Sequence, residues 1–380
     1  MMPDNLKPPV WIARPAALQR LVTEIMQFSQ VAVDTESNSL FAYRERVCLI
    51  QFSTPETDYL VDPLALHDLT PLASFFSDAR IEKIFHAAEY DLICLKRDYG
   101  FEFMHIFDTM QAARILGRTH IGLADILTDE FNIDLEKRYQ RANWGERPLN
   151  PAMLAYARLD THYLIELRHR LGVELEEKGL LDLAREDFEH LTKVSIPNSN
   201  GTSTNCWRIA GKNKLSPHQM AILQALIEYR DQHARKADIP PFKILSNQVL
   251  VELAILSPGN PQELENCGLL SKRQLERHTS GLLESIHKGI HNPPPHKPQN
   301  HRPPDDVLEK IELLKNWRKE TGRIIEVESD VILPRELLEH IAFSNPNSPE
   351  ELRSIMVTYP WRFAHFGEKI LSITKGKADQ

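Results

Sequence analysis

Residues 31–36 read VAVDTE. Val31 and Val33 are β-branched and Ala32 is small, so the run reads as a short buried strand. Residues two apart in a strand point to the same face, so Asp34 and Glu36 converge at its end. Two adjacent like charges repel unless something positive lies between them. A hard divalent cation with oxygen ligands, Mg2+ or Mn2+, meets that need. The competing reading is a pair of solvated acids at a strand end. The Asp-x-Glu pattern recurs at Asp134/Glu136 and Asp187/Glu189, but only Asp34/Glu36 follows an apolar strand.

Working outward, RERVCLIQFS follows closely and suggests an antiparallel hairpin partner for this strand, with DYLVDP as a third strand. IEKIFHA then reads as a strand that leads into a helix over AEYDLICLKRDYG. Further helices are expected at about 108–117, 122–130 and 151–177. Mixed strands followed by helices imply an α/β domain with one central mixed sheet.

The chain has 380 residues, of which 42% are hydrophobic and 26% charged, the composition of a soluble globular protein of two or three domains. The N-terminus has no apolar signal core and no run approaches membrane-spanning length. Cys48, Cys94, Cys206 and Cys267 are far apart, which argues against a zinc site or a disulfide scaffold and for a cytosolic protein with reduced thiols. The net charge of −8 makes no case for nucleic-acid binding. The segment Cys206–His291 has eleven Lys/Arg against eight Asp/Glu, so a weakly basic module sits on an acidic chain.

The polar stretch 196–213 reads as a linker, and 291–304, with six prolines, as a stiff extended one. These divide the chain into an N-terminal domain, 1–195, and two helical segments, 214–290 and 305–375. The helical segments are a repeat. A shift of 88 residues sets Leu226 on Leu314, Arg230 on Arg318, Arg235 on Arg323, Ala254 on Ala342 and Pro261 on Pro349. The recurring arginines either track phosphates or bridge helices within each repeat. His287, His291, His296 and His301 cluster around the proline stretch, which lacks the fixed geometry a metal site needs.

Two more carboxylates stand where plain packing would not put them. In HAAEYDLICL, Asp91 shares a helix face with Ala87, Ala88, Cys94 and Leu95, so it pairs with a cation or reaches a metal. In NPAMLAYARLDTHYLIEL, Tyr156, Asp160, Tyr163 and Leu167 are spaced to share one face, and Asp160 sits in its middle. Four acids of this kind can hold two cations about 4 Å apart, with Tyr156 aiming a water.

The ordered set DTE, HAAEYDL and YARLD resembles the three exonuclease motifs of the DEDD superfamily, and a tyrosine four residues before the last acid marks its tyrosine-bearing branch. LIQFS and NWGERPL look like ribonuclease D in particular, and the two helical repeats look like helicase-and-RNase-D C-terminal (HRDC) domains. The resemblance implies a ribonuclease H-like α/β fold followed by two small all-α bundles. It implies that Asp34, Glu36, Asp91 and Asp160 bind two Mg2+ or Mn2+ ions and that Tyr156 positions the nucleophilic water. It implies a cytoplasmic, monomeric 3′–5′ exoribonuclease acting on RNA with a single-stranded 3′ end, tRNA precursors above all. Ala87 departs from the small polar residue expected there. His86 is a candidate substrate contact or a packed histidine, and Lys272 and Arg273 are candidates for RNA contact. The rival functions are a DNA exonuclease on the same fold and a non-catalytic RNA-binding scaffold.

Overall fold

The computed structural model describes residues 6–135, 137–197, 205–296 and 302–375. They form two compact units. One comprises residues 1–37, 47–196 and 302–380, and the other 38–46 and 197–301. The second helical repeat therefore belongs with the N-terminal fold, which the linear order of segments does not suggest.

The first unit is built on a mixed six-stranded sheet of β1 (Val10–Ile12), β2 (Gln30–Ser37), β3 (Val47–Ser53), β4 (Asp58–Val61), β5 (Glu82–Phe85) and β6 (Ile106–Asp108), in the order β1-β4-β3-β2-β5-β6. β2 pairs antiparallel with β3 and parallel with β5, so the expected hairpin is present at the centre of the sheet. The helices are α1 (Pro15–Ile25), α2 (Ala73–Phe76), α3 (Glu89–Tyr99), α4 (Thr109–Ile115), α5 (Leu123–Phe131), α6 (Pro151–His162), α7 (Leu164–Glu177) and α8 (Leu181–Leu191). Val31 and Val33 pack into one core cluster with Leu18 and Leu21 of α1 and Leu92 and Leu95 of α3. Ala32 packs into another with Ile84, Phe107 and residues of α4 to α8. β2 is thus covered on both faces, which is why it carries three consecutive apolar residues.

One expected element is corrected. The run 151–177 is two helices, because Tyr163 (φ −96°, ψ −3°) interrupts it. No proline or glycine marks the break. His162 is held by Asp58 on β4, while the Tyr163 ring lies tilted against Phe131 of α5 at 5.8 Å, so tertiary partners set the change of direction. Tyr163 and Leu167 consequently do not continue the Tyr156–Asp160 face.

The second unit holds α9 (Cys206–Ala210), α10 (Pro217–Ala237), α11 (Pro241–Ile244), α12 (Asn247–Leu256), α13 (Pro261–Asn266) and α14 (Lys272–His291). α9 lies inside the stretch read as a linker, yet Cys206 and Ala210 are buried in this unit's core. The second repeat, in the first unit, has α15 (Asp305–Ile324), α16 (Ser329–Ile332), α17 (Arg335–Ser344), α18 (Pro349–Ile355) and α19 (Pro360–Thr374). From α10/α15 to α14/α19, each pair of equivalent helices starts 88 residues apart. Arg230 donates to the Leu245 carbonyl at 3.0 Å and Arg318 to the equivalent Leu333 carbonyl at 2.7 Å, so this arginine bridges helices in both repeats. His301 lies outside the described residues, and no helix among the described residues is long and apolar enough to cross a membrane.

Candidate active site

Asp34 and Glu36 lie on the face of β2 that Ala32 presents to α4–α8. The β2–β3 register shifts between Glu36 and Ser37, so the ladder becomes irregular where the acids project. α6 crosses this face. Its start is set by Pro151 and by the Asn150 side chain, which accepts from the Met153 amide at 2.8 Å. Its far end is pinned by a buried network: Arg158 donates to Asp58 at 2.7 Å, His162 Nδ1 lies 2.9 Å from the same carboxylate, and the Thr161 and Ser53 hydroxyls are 2.7 Å apart. Asp160, between Arg158 and Thr161, is left facing the acids of β2. Ligand oxygens of Asp34, Glu36 and Asp160 all lie within 4.8 Å of one another.

Asp91 arrives from the other side of the strand. It is buried in the first turn of α3, where the helix dipole favours an acid, and it accepts a hydrogen bond from the Thr35 hydroxyl. Thr35 alternates with Asp34 and Glu36, so the three residues of DTE gather acids from both sheet faces. The entry to α3 is held by Asp108, whose carboxylate accepts from the amides of Ala87 (3.1 Å), Ala88 (2.8 Å), Met110 (2.8 Å) and Gln111 (3.0 Å). Ala87 adopts φ +62°, a left-handed conformation that this carboxylate stabilises.

The electrostatics are those of an uncompensated anionic site. Burial, followed by the Asp160 charge, holds Asp34 well above the ordinary carboxylate range. Burial and the charges of Asp34, Asp160 and Asp91 do the same to Glu36. Asp91 is raised by burial and then by Asp34, and Asp160 by burial and then by Asp91. Among the described residues no Lys, Arg or His forms an ion pair with any of the four. Oxygen-only donors, clustered and lacking a protein cation, fit a divalent metal.

Tyr156 is buried one turn before Asp160, against the rings of Tyr139 (5.8 Å) and Trp144 (6.1 Å). Burial and the charges of Asp160, Glu36 and Asp34 push its phenol far above the usual value, so it stays protonated, and the Gln140 side chain hydrogen-bonds it. A cavity of about 170 Å³ opens beside it, lined by Gly122, Leu123, Leu135, Gln140, Tyr156 and Asp160 among others. Arg138 and Arg141 flank Gln140. They are exposed, and no carboxylate pairs with either among the described residues.

His86 is engaged inside the fold. Burial lowers its pKa to about 4, the Ile121 backbone hydrogen-bonds it, and its Nδ1 lies 2.9 Å from the Thr109 hydroxyl. Lys272 and Arg273 are exposed at the start of α14, in the other unit. Sequence reading missed Thr35, Asp108, Gln140 and the two arginines beside it. A signal existed for Asp108, since Asp-Thr before a helical run is an N-cap pattern, and its side chain does cap α4.

Fold and site together define a nuclease-type α/β domain with helical repeats appended. Residues 9–176 match the 3′–5′ exonuclease family, and residues 219–286 and 308–374 match the HRDC domain. The chain is 30% identical to the exosome complex exonuclease RRP6 of Saccharomyces cerevisiae over 91% of its own length and 52% of that protein. It is 27% identical to ribonuclease D of Nitrobacter hamburgensis, over 96% of this chain and 95% of that one. The RNase D structure from Escherichia coli shares the fold, with a TM-score of 0.66 at 24% identity, over 98% of this chain and 100% of that one. Residues 9–176 thus carry a 3′–5′ exonuclease domain and the two helical repeats HRDC domains, and the chain is similar to ribonuclease D and RRP6 proteins. It spans about half or less of the length of the RRP6-type relatives it matches.

Proposed function

We propose that the protein is a two-metal 3′–5′ exoribonuclease that releases 5′-monophosphates from single-stranded 3′ ends, and that tRNA precursor trailers are its substrates. The observation that carries this reading is the convergence of Asp34, Glu36 and Asp160 within 4.8 Å, with no cation among the described residues paired to them. These three would hold one cation, and Asp91, electrostatically coupled to Asp34, would share in holding the second. Bound there, divalent cations supply a water of lowered pKa and stabilise the charge on the leaving oxygen. The protonated Tyr156 hydroxyl, a helical turn from Asp160, orients that water toward the terminal phosphate. Hydrolysis forms the bond from water oxygen to phosphorus and breaks the bond to the 3′ oxygen, which takes up a proton. Exposed Arg138 and Arg141 beside the cavity suit the approach of a polyanion. The assignment to tRNA precursors is supported by the near full-length similarity to a ribonuclease D.

The test is a gel assay on matched single-stranded RNA and DNA labelled at the 5′ end, each with Mg2+, Mn2+ or EDTA. A metal-dependent ladder on RNA that shortens from the 3′ end is expected, with faster trimming of a tRNA carrying a 3′ trailer than of an unrelated hairpin with the same tail. An equal ladder on DNA would move the reading to a general exonuclease. RNA that shifts on a native gel but is never cut would make the protein a binding scaffold. Tyr156→Phe is expected to lower kcat by about 10²-fold, the cost of misplacing a reacting group by about 1 Å, with an unchanged melting temperature. Unchanged turnover would remove the water-orienting role.

A further inference from the structure

Gln51 is a costly residue that neither the packing nor the acid set accounts for. It sits on β3 with no exposed surface, and neither its amide nitrogen nor its amide oxygen has a hydrogen-bond partner among the described residues. Burying an unpaired amide costs about 1–3 kcal/mol, and native folds rarely keep one without cause. Its position supplies the cause. Across the β2–β3 pair Gln51 stands directly opposite Asp34. Opposed residues share a face and hold their Cβ atoms about 4.5–5.5 Å apart. The neighbours on that face offer it nothing: Leu49, opposite Glu36, and Leu60 on β4 are aliphatic, and the Ser53 hydroxyl is already engaged by Asp58 and Thr161.

We propose that Gln51 is a positioning residue for the cation site, donating its side-chain N–H to the Asp34 carboxylate when that carboxylate is committed to a divalent metal. The proposal rests on the reading of the four acids as a metal site. A coordinating carboxylate has a second set of lone pairs, and its orientation is normally fixed by a donor to them. The field of the four acids turns the amide's N–H edge toward Asp34. A neutral donor is the side chain suited to this place. Lysine or arginine at 51 would balance the acids and compete with the cation, and an aliphatic residue would leave the ionised oxygen without a donor.

The experiment uses the full chain with Gln51→Met, which keeps the length and removes the donor. Mn2+ affinity is measured by calorimetric titration and by the metal-induced rise in melting temperature, beside the melting temperature in EDTA. The expected result is opposite movement of the two readouts. The metal-free variant melts at the wild-type temperature or above, because a buried unpaired amide is gone, while the Kd for Mn2+ rises about 10–100-fold. Gln51→Asn, whose shorter amide withdraws the donor, is expected to show the same loss of affinity and carries the test where the methionine variant does not fold. A Kd within a factor of two of wild type in a folded variant would overturn the proposal and leave Gln51 as a packing residue. Failure of the wild-type chain to bind Mn2+ at all would overturn the metal reading itself, and the inference with it.

Discussion

Asp34→Asn is expected to abolish RNA cleavage while leaving a metal-free protein at least as stable as the wild type. Loss of a coordinating oxygen should cost well over the 10–100-fold in activity that removal of an outer-shell partner costs. The fold should tolerate the change, because no ion pair among the described residues depends on Asp34 and its charge is opposed by burial and by Asp160. The sign of the pH dependence follows. The four acids have folded-state pKa values above their unfolded values of 3.8 for Asp and 4.5 for Glu. Below the unfolded values both states are protonated. As pH rises past them the unfolded chain sheds protons that the native state still holds, so these groups lower stability with increasing pH. Melting temperatures in EDTA should therefore show a downward contribution above about pH 4 that Asp34→Asn makes shallower, and Mg2+ should reduce it in the wild type alone. An Asp34→Asn variant that melts lower, with the pH slope unchanged, would show that Asp34 serves the fold and not a metal.

Arg362→Ala is expected to destabilise the first unit by about 3–5 kcal/mol, the cost of stripping one partner from a buried ion pair. Arg362, on α19 of the second repeat, has no exposed surface. Its guanidinium lies 2.9 Å from Glu186 and 2.9 Å from Asp187, both on α8, and donates to the Val331 carbonyl at 2.8 Å. The Trp361 amide also donates to Glu186, Arg114 on α4 binds Glu328 and Asp330, and His190 stacks on Tyr359 at 4.1 Å. Without Arg362 the Glu186 carboxylate is left buried and unbalanced. Urea melts of Arg362→Ala, Glu186→Gln and the double variant form the cycle that isolates the pair. A loss under 1 kcal/mol for Arg362→Ala would mean that the second repeat is held by its other contacts. The same geometry changes the meaning of truncation. Deleting residues 302–380 would uncover this surface of the catalytic fold and should lower its stability, beyond any effect on RNA affinity.

The 88-residue repeat shows how far comparison within the chain reaches. Arg362 is the counterpart of Gln274, and Trp361 of Arg273. In the first repeat Gln274 closes a capping box with Ser271, while in the second the same helix start carries the contact with α8. Equal spacing disclosed the shared bundle. The divergence of these two positions disclosed nothing until their partners were known. The Asp187/Glu189 pair, set aside as an Asp-x-Glu without a strand, proves to lie on α8, where Asp187 faces Arg362.

What the sequence by itself determined is whatever depends on near neighbours: the apolar strand ending in Asp34 and Glu36, the helix started by Asn150 and Pro151 that carries Tyr156 and Asp160, and the repeat. Strand and helix periods and capping chemistry act over a few residues, so they are written in consecutive letters. Tertiary structure alone decided that Asp160 meets the β2 acids, that Thr35 holds Asp91, that Gln51 lies opposite Asp34 without a partner, that Tyr163 breaks a helix, and that Arg362 closes on Glu186. The last pairing joins residues about 175 positions apart in the chain. Contacts at such distance cost loop-closure entropy whatever lies between them and leave no mark in local pattern. They are selected by burial, which drives ionised groups to find a partner, a metal or a proton wherever the fold brings one within reach.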